Sequence, residues 1–337
     1  MVRPGDLRDF TGETGGVVFL GAGASIDSGL PLGDEAAAAI IRACFRATGL
    51  ARIFVDLERT RASGQPALWP RFEVVLDFME QYLPGSALEV LETFKDVGIS
   101  AVHQLLAEHL KGHWLWLTTN FDDQIERALT ATGAKYTVLR SRGQIAQIGR
   151  LLREHHVVVK LHGDAKSRPT EVGVTIHQIL RTFPGHLARR LVRAAAGKPV
   201  LFVGYGARDP DLTIVVEGMI ARSGKLAWIG KGRITPRVEA VLASCLSNYS
   251  YYGQGAANAF RRHWGVKPPA PYKSMPWFDR IAEWARRKAQ NPHDRKSLFH
   301  FLAALGSRWV SDNRSPTASV SILVSASQFS ACQLRIG

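Results

Sequence analysis

Three short apolar runs in this chain end in residues able to do chemistry, and a fourth ends in glycines. Leu115-Trp116-Leu117-Thr118 leads into Thr119-Asn120-Phe121-Asp122, and Val158-Val159-Lys160-Leu161 into His162-Gly163-Asp164. Leu201-Phe202-Val203 leads into Gly204-Tyr205-Gly206, followed by Asp209-Pro210-Asp211. The fourth run, Val17-Val18-Phe19-Leu20, opens into Gly21-Ala22-Gly23-Ala24-Ser25. An imidazole, with an unperturbed pKa near ~6.5, suits general base work at neutral pH. Glycines let the backbone come close to a pyrophosphate, and N–H groups near a helix start suit an anion. Plainer uses exist for each residue alone. A histidine after a strand is commonly structural, and Asp122, Asp209 or Asp211 would serve as helix N-caps.

The elements that must position these residues follow from the pattern. Val17–Gly21, Trp114–Thr118, Val157–Leu161, Val200–Gly204 and Leu226–Ile229 lack strict alternation, as expected of parallel strands covered on both faces. Between them Gly33–Thr48, Phe72–Tyr82, Ala87–His109, Asp122–Thr132, Ile176–Phe183 and Asp211–Arg222 carry helical patterning. Alternating strands and helices predict an α/β, Rossmann-like doubly wound parallel sheet. In such a sheet the carboxyl ends share one edge, where ligands bind, so Asn120, Asp122 and His162 would converge on whatever the glycine turn holds. The turn is not the dehydrogenase fingerprint: Ile26 stands where GxGxxG needs glycine, and no acidic residue follows about 20 residues on. A hydride-transfer enzyme is therefore disfavoured.

The expected organisation is a catalytic domain over residues 1–265 with a helical insertion at about 50–112. Beyond Pro268-Pro269-Ala270-Pro271, residues 266–310 form a helical extension, with helices at Trp277–Ala289 and Lys296–Trp309. Residues 311–337, rich in serine, are expected to be disordered. No apolar run reaches the ~18–20 residues of a membrane span, and the N-terminus lacks a signal-peptide core, so a cytoplasmic protein is expected. Cys44, Cys245 and Cys332 lie far apart, which argues against disulfides and a cysteine-ligated zinc. His109 and His113 have helical spacing for a metal but no third ligand. The net charge of +14 leaves nucleic acid open as a partner, mainly through late basic clusters such as Arg261-Arg262-His263 and Arg286-Arg287-Lys288.

These motifs together resemble the sirtuins. Gly21-Ala22-Gly23-Ala24-Ser25 with Ser28-Gly29-Leu30-Pro31 is similar to GAGxSxxSGxP, and Thr118-Thr119-Asn120-Phe121-Asp122 to the TQNxD segment. Leu161-His162-Gly163 resembles the segment bearing the family's catalytic histidine. Gly204-Tyr205-Gly206 with Asp209 resembles the later cofactor-binding turn of sirtuin-like bacterial NAD hydrolases. The departures are informative. Where deacylating sirtuins carry GIPDFR, this chain has Leu32 and Asp34 in place of the aspartate and arginine, and the four-cysteine zinc ribbon is missing. Both point away from protein deacylation and towards the divergent bacterial branch of antiphage defence effectors.

What the resemblance implies is NAD⁺ cleavage between nicotinamide and ribose, with NAD as substrate and no metal. His162 is the expected base, Asn120 contacts the ribose and orients water, and Asp122 binds the carboxamide or steadies the cation. Gly21, Ala22, Gly23 and Ser25 cradle the pyrophosphate, with Ser28 and Thr118 in the binding motifs. Gly204, Gly206 and Asp209 line the adenosine side. A sensor that binds NAD or an ADP-ribose derivative without turnover is the alternative, and a deacylase or ADP-ribosyltransferase a more distant one. Because unregulated NAD loss would poison the cell, homo-oligomerisation or a regulatory protein partner is expected.

Overall fold

The computed structural model describes residues 7–52, 54–55, 71–164, 184–243, 249–266 and 276–312. The chain divides into two compact units, one of Met1–Leu30 with Phe94–Met275 and one of Pro31–Thr93 with Pro276–Gly337.

The first unit is built on a seven-stranded, wholly parallel sheet. Its strands are β1 (Val17–Leu20), β2 (Leu115–Thr118), β3 (Tyr136–Leu139), β4 (His156–Lys160), β5 (Pro199–Val203), β6 (Lys225–Ile229) and β7 (Tyr249–Tyr252). Their spatial order is β3-β4-β2-β1-β5-β6-β7, and every pairing is parallel. The five strands expected from apolar runs are the inner five. Every residue of β1, β2, β4 and β5 is buried, and β6 is buried beyond its first residue. Burial on both faces explains why none alternates: Val17 and Phe19 face one apolar cluster while Val18 and Leu20 face the other. The α/β doubly wound, Rossmann-like class expected from sequence is the one observed.

The strand order places the site. From β1 the chain lays β2, β4 and β3 on one side, then crosses to lay β5, β6 and β7 on the other. The carboxyl end of β1 is thus the switch point, flanked by the ends of β2 and β5, where an open parallel sheet leaves a crevice. Several helical expectations shift in detail. Ala87–His109 is two helices, Ser86–Glu92 and Ala101–His109, separated by a loop whose Ser100 caps the second. The helix expected from Asp122 begins at Gln124, with Asp123 as its N-cap. Pro210–Leu212 forms a 3-10 turn before the helix Thr213–Arg222. The expected helix Ile176–Phe183 lies outside the described residues, as do Pro268–Pro271 and most of the expected disordered tail.

The second unit is helical: Gly33–Ala47, Phe72–Tyr82, Ser86–Glu92, Pro276–Gln290 and Pro292–Asp312. Gly33–Ala47 packs on Pro276–Gln290, so the helix after the glycine turn and the helix after the proline segment share one core. That core buries Ile40, Ile41, Trp277 and Trp284, and the Trp284 indole donates to Glu89 at 2.8 Å. The unit joins residues on both sides of the sheet unit in sequence.

Candidate active site

The glycine turn after β1 winds into two 3-10 turns, Ala22–Ala24 and Ile26–Ser28, rather than directly into an α-helix. Its N–H groups are largely engaged within the protein. Gly21 donates to Val203 (3.1 Å), Gly23 to Gly204 (3.0 Å), Ala24 to Gly21 (2.9 Å) and Ser25 to Ala22 (3.1 Å). The glycines are needed first for the contact between this turn and the one after β5. A Cβ on Gly21 would stand 2.6 Å from the Gly204 carbonyl oxygen, and one on Gly204 2.3 Å from the Ala24 nitrogen. Gly204 also has a positive φ of 63°, a conformation costly for side-chain-bearing residues. The two glycine motifs are therefore a single interlocked structure at the sheet's carboxyl edge.

Behind it the Asn120–Asp122 loop is held by a buried hydrogen-bond network. Asn120 Nδ2 donates to the Gly21 carbonyl (3.0 Å) and to Ser25 Oγ (3.3 Å), and Ser25 Oγ donates to Asp122 Oδ2 (2.8 Å). Asp122 Oδ1 accepts the Gln124 N–H at 3.2 Å, which ties the carboxylate to the start of the next helix. Thr118 Oγ1 accepts the Asn120 N–H (2.9 Å), and Ser28 Oγ donates to the Ser25 carbonyl (2.6 Å). Thr118 and Ser28 are themselves fully buried, so their side chains support the loop from within. The network thus brings together Gly21, Ser25, Ser28, Thr118, Asn120 and Asp122.

Three residues that sequence reasoning passed over complete this framework. Gln124 Nε2 donates to Ser28 Oγ (2.6 Å), and its Oε1 accepts the Ser100 N–H (2.6 Å). Ser100 Oγ donates to the Ala24 carbonyl at 2.7 Å. Lys160, at the end of β4 and wholly buried, donates to the Asp122 backbone carbonyl and pairs with Glu126 at 3.2 Å. Arg140 then bridges Glu126 (3.3 Å) and Asp164 (2.8 Å). A lysine inside an apolar strand was the available signal, since lysine is almost never fully buried unless paired.

His162 sits in the turn after β4, closed by the Gly163 N–H to the Lys160 carbonyl at 3.1 Å. Its Nε2 lies 3.3 Å from Asp211 Oδ2, with the two side chains 5% and 2% exposed. Asp209, expected on the adenosine side, is half-buried and accepts the Tyr205 hydroxyl. Burial first, and then Asp209, push that phenol well above its ordinary range. Gly206 is exposed. A second histidine, His103, lies buried in the helix Ala101–His109. Desolvation lowers its pKa against the opposing pull of Asp122 and Asp27, and neither ring nitrogen has a hydrogen-bond partner among the described residues. His109 stacks on Trp264 with ring centroids 5.2 Å apart, and His113 Nδ1 lies 3.2 Å from the Leu152 carbonyl.

The chain is thus an α/β protein with a parallel Rossmann-like sheet, whose switch point joins a glycine turn to an asparagine–aspartate loop, with His162 following the neighbouring strand β4. Residues 115–249, from β2 to the start of β7, are similar to the family model described as SIR2-like domain. SIR2-like domains use NAD as substrate. A search of curated proteins found no match. Among the described residues no helix is long and apolar enough to cross a membrane.

Proposed function

We propose that this chain is an NAD⁺ hydrolase that breaks the nicotinamide–ribose bond, giving nicotinamide and ADP-ribose. The observation that carries the reading is the buried Asn120–Ser25–Asp122 cluster bonded to the glycine turn at the sheet's switch point. His162 lies beyond the end of β4, the strand paired with β2. In the reaction the glycosidic bond breaks with its electron pair going to the pyridinium nitrogen, so nicotinamide leaves neutral and needs no strong acid. Positive charge builds on the ribosyl carbon, as in glycoside hydrolysis. Water adds there, and its proton passes to His162 directly or through a ribose hydroxyl. Asn120 orients the water and the ribose. Asp122, a buried acceptor, binds the carboxamide or offsets the ribosyl charge. Buried, prearranged dipoles act more strongly than in water and need no reorganisation as the charge appears.

Leu32 and Asp34, which stand where deacylating sirtuins keep aspartate and arginine, favour hydrolysis over protein modification. The proposal extends to a cytoplasmic effector of antiphage defence, held in check by self-association or a protein partner, since free activity would exhaust the cell's NAD.

Nicotinamide release from NAD⁺ by purified protein, measured beside Asn120→Ala and His162→Ala, tests the reading. Each substitution is expected to lower release at least ~100-fold, the usual contribution of a positioned base. A wild-type protein that binds NAD⁺ tightly yet releases no nicotinamide at any protein concentration would make the domain a sensor instead.

A further inference from the structure

We infer that the helix Gly185–Ala195 and the segment it packs on, residues 141–155, form an arginine surface that binds the phosphate backbone of duplex nucleic acid. This binding is separate from the hydrolase reading and does not depend on it. The helix buries Leu187, Ala188, Leu191, Val192 and Ala195 in the apolar cluster on one face of the sheet. The same cluster holds Ile145, Ile148 and Leu151 of the neighbouring segment. Burying that stripe leaves His186, Arg189, Arg190 and Arg193 exposed on the helix, and Arg150 and Arg153 exposed on the segment. Arg190 Nη1 donates to the Ala146 carbonyl at 3.4 Å, which ties the two basic stretches together.

The charges here lack internal compensation. Gly185–Ala195 contains no acidic residue, and across residues 141–155 and 184–198 Glu154 is the only one. Among the described residues, none of these five arginines makes an ion pair. Arg189 and Arg193 stand one helical turn apart, where like charges repel, so a polyanion would relieve a cost built into the helix. The late basic cluster differs: Arg286 pairs with Glu283, and Lys288 with Glu89 and Asp294. Guanidinium forks match phosphate oxygens two at a time. Residues 141–155 and 184–198 contain no Phe, Tyr or Trp, and none of their Ile, Leu or Val side chains is exposed. A single strand would need aromatic rings to stack on, and a membrane would need apolar side chains to insert, so duplex phosphate is the ligand that fits. A duplex carries one charge per ~1.7 Å of axis, so a helix ~16 Å long meets several phosphates.

The test is fluorescence anisotropy of the full chain with a labelled DNA duplex of mixed sequence, run beside a single strand of equal length and phosphatidylserine vesicles. Arg189→Gln/Arg190→Gln/Arg193→Gln is compared with Arg261→Gln/Arg262→Gln, which takes charge from the helix Ala256–Trp264 instead. Wild type is expected to bind the duplex with an affinity that falls steeply as salt rises. The triple variant should weaken binding at least about tenfold and lessen the slope of log affinity against log salt by about 2–3, the share of three phosphate contacts. The Arg261/Arg262 variant should stay within about threefold of wild type. If the triple variant fails to fold, Arg189→Gln alone should still lessen the slope by about 1. No duplex binding by wild type at ~50 mM salt overturns the inference, since phosphate contacts are strong there. Equal losses in the two multiple variants also overturn it, because they would mark attraction to the net charge of +14 and not to this surface. Tighter binding to the single strand or to vesicles, lost in the triple variant, would assign the surface to that partner instead.

Discussion

His156 and His162 stand at opposite ends of one strand, and their surroundings differ. His156 opens β4, and its Nδ1 accepts the Trp114 backbone N–H (3.1 Å) and faces the Trp116 indole N–H (3.3 Å). Burial, and then nearby His113, push its pKa down to about 4, so it is neutral at physiological pH and serves only to satisfy donors. His162 follows the other end, and its Nε2 lies 3.3 Å from Asp211 Oδ2. Residue type distinguishes nothing here. The difference is which end of a parallel strand the ring occupies: His162 follows the carboxyl end, the edge at which such sheets bind ligands.

The comparison can be broken most strongly at Lys160, the last residue of β4. Lys160→Met removes the cation beside Glu126 and the donor to the Asp122 carbonyl, leaving a buried carboxylate with Arg140 alone. A loss of about 3 kcal/mol of stability is expected in urea denaturation, the low end for breaking a buried pair. Turnover per folded molecule should fall as well, because the Asn120–Asp122 loop loses its anchor. If Lys160→Met were as stable as wild type, the strand end would be held by the sheet and not by charge.

A smaller effect is expected at the His156 end. The folded pKa lies below the unfolded value of ~6.5, so the unfolded chain binds the extra proton first. This stabilising contribution is complete above about pH 7 and is lost as pH falls towards about 4, by at most about 3 kcal/mol for a shift of that size. His103, lowered by burial, acts in the same direction. Urea denaturation across pH 4–7 should show this slope, flattened in His156→Gln. Equal slopes in the two proteins would mean that His156 takes up its proton as readily in the fold as in the unfolded chain.

Much of this arrangement was legible in the chain, for a physical reason. Strands buried on both faces must be continuously apolar, so β1, β2, β4, β5 and β6 could be read directly. The edge strands Tyr136–Leu139 and Tyr249–Tyr252 are only partly buried, and their mixed composition hid them. Asn120, Asp122 and His162 were visible because each follows a readable strand. Asp211 was named only as a possible cap, since nothing in Asp209-Pro210-Asp211 says which carboxylate turns inward. The glycines were read for a ligand, but their closest demand is the approach of Gly21 and Gly23 to Gly204, a contact between motifs far apart in sequence. Helix membership was harder still. Gly33–Ala47 groups with Pro276–Gln290, a partner that no local pattern could name.

The smallest expected effect concerns the far side of the glycine turn, where Ser100 does work that no charge shares. Its Oγ accepts the Val102 N–H (3.1 Å), capping the helix Ala101–His109, and donates to the Ala24 carbonyl (2.7 Å). Ser100→Ala therefore removes a cap and strands a buried carbonyl, together about 1–2 kcal/mol. For a domain of this size that is a Tm fall of roughly 2–8 °C. The substitution leaves His162, Asp211 and Lys160 untouched and loosens only the turn. Its kinetic signature should accordingly be a raised KM for NAD⁺ with little change in kcat. If Ser100→Ala lowered kcat and left KM alone, the glycine turn would bear on the reacting bond more than on holding the dinucleotide. The division of labour between the turn and the histidine end of β4 would then have to be redrawn.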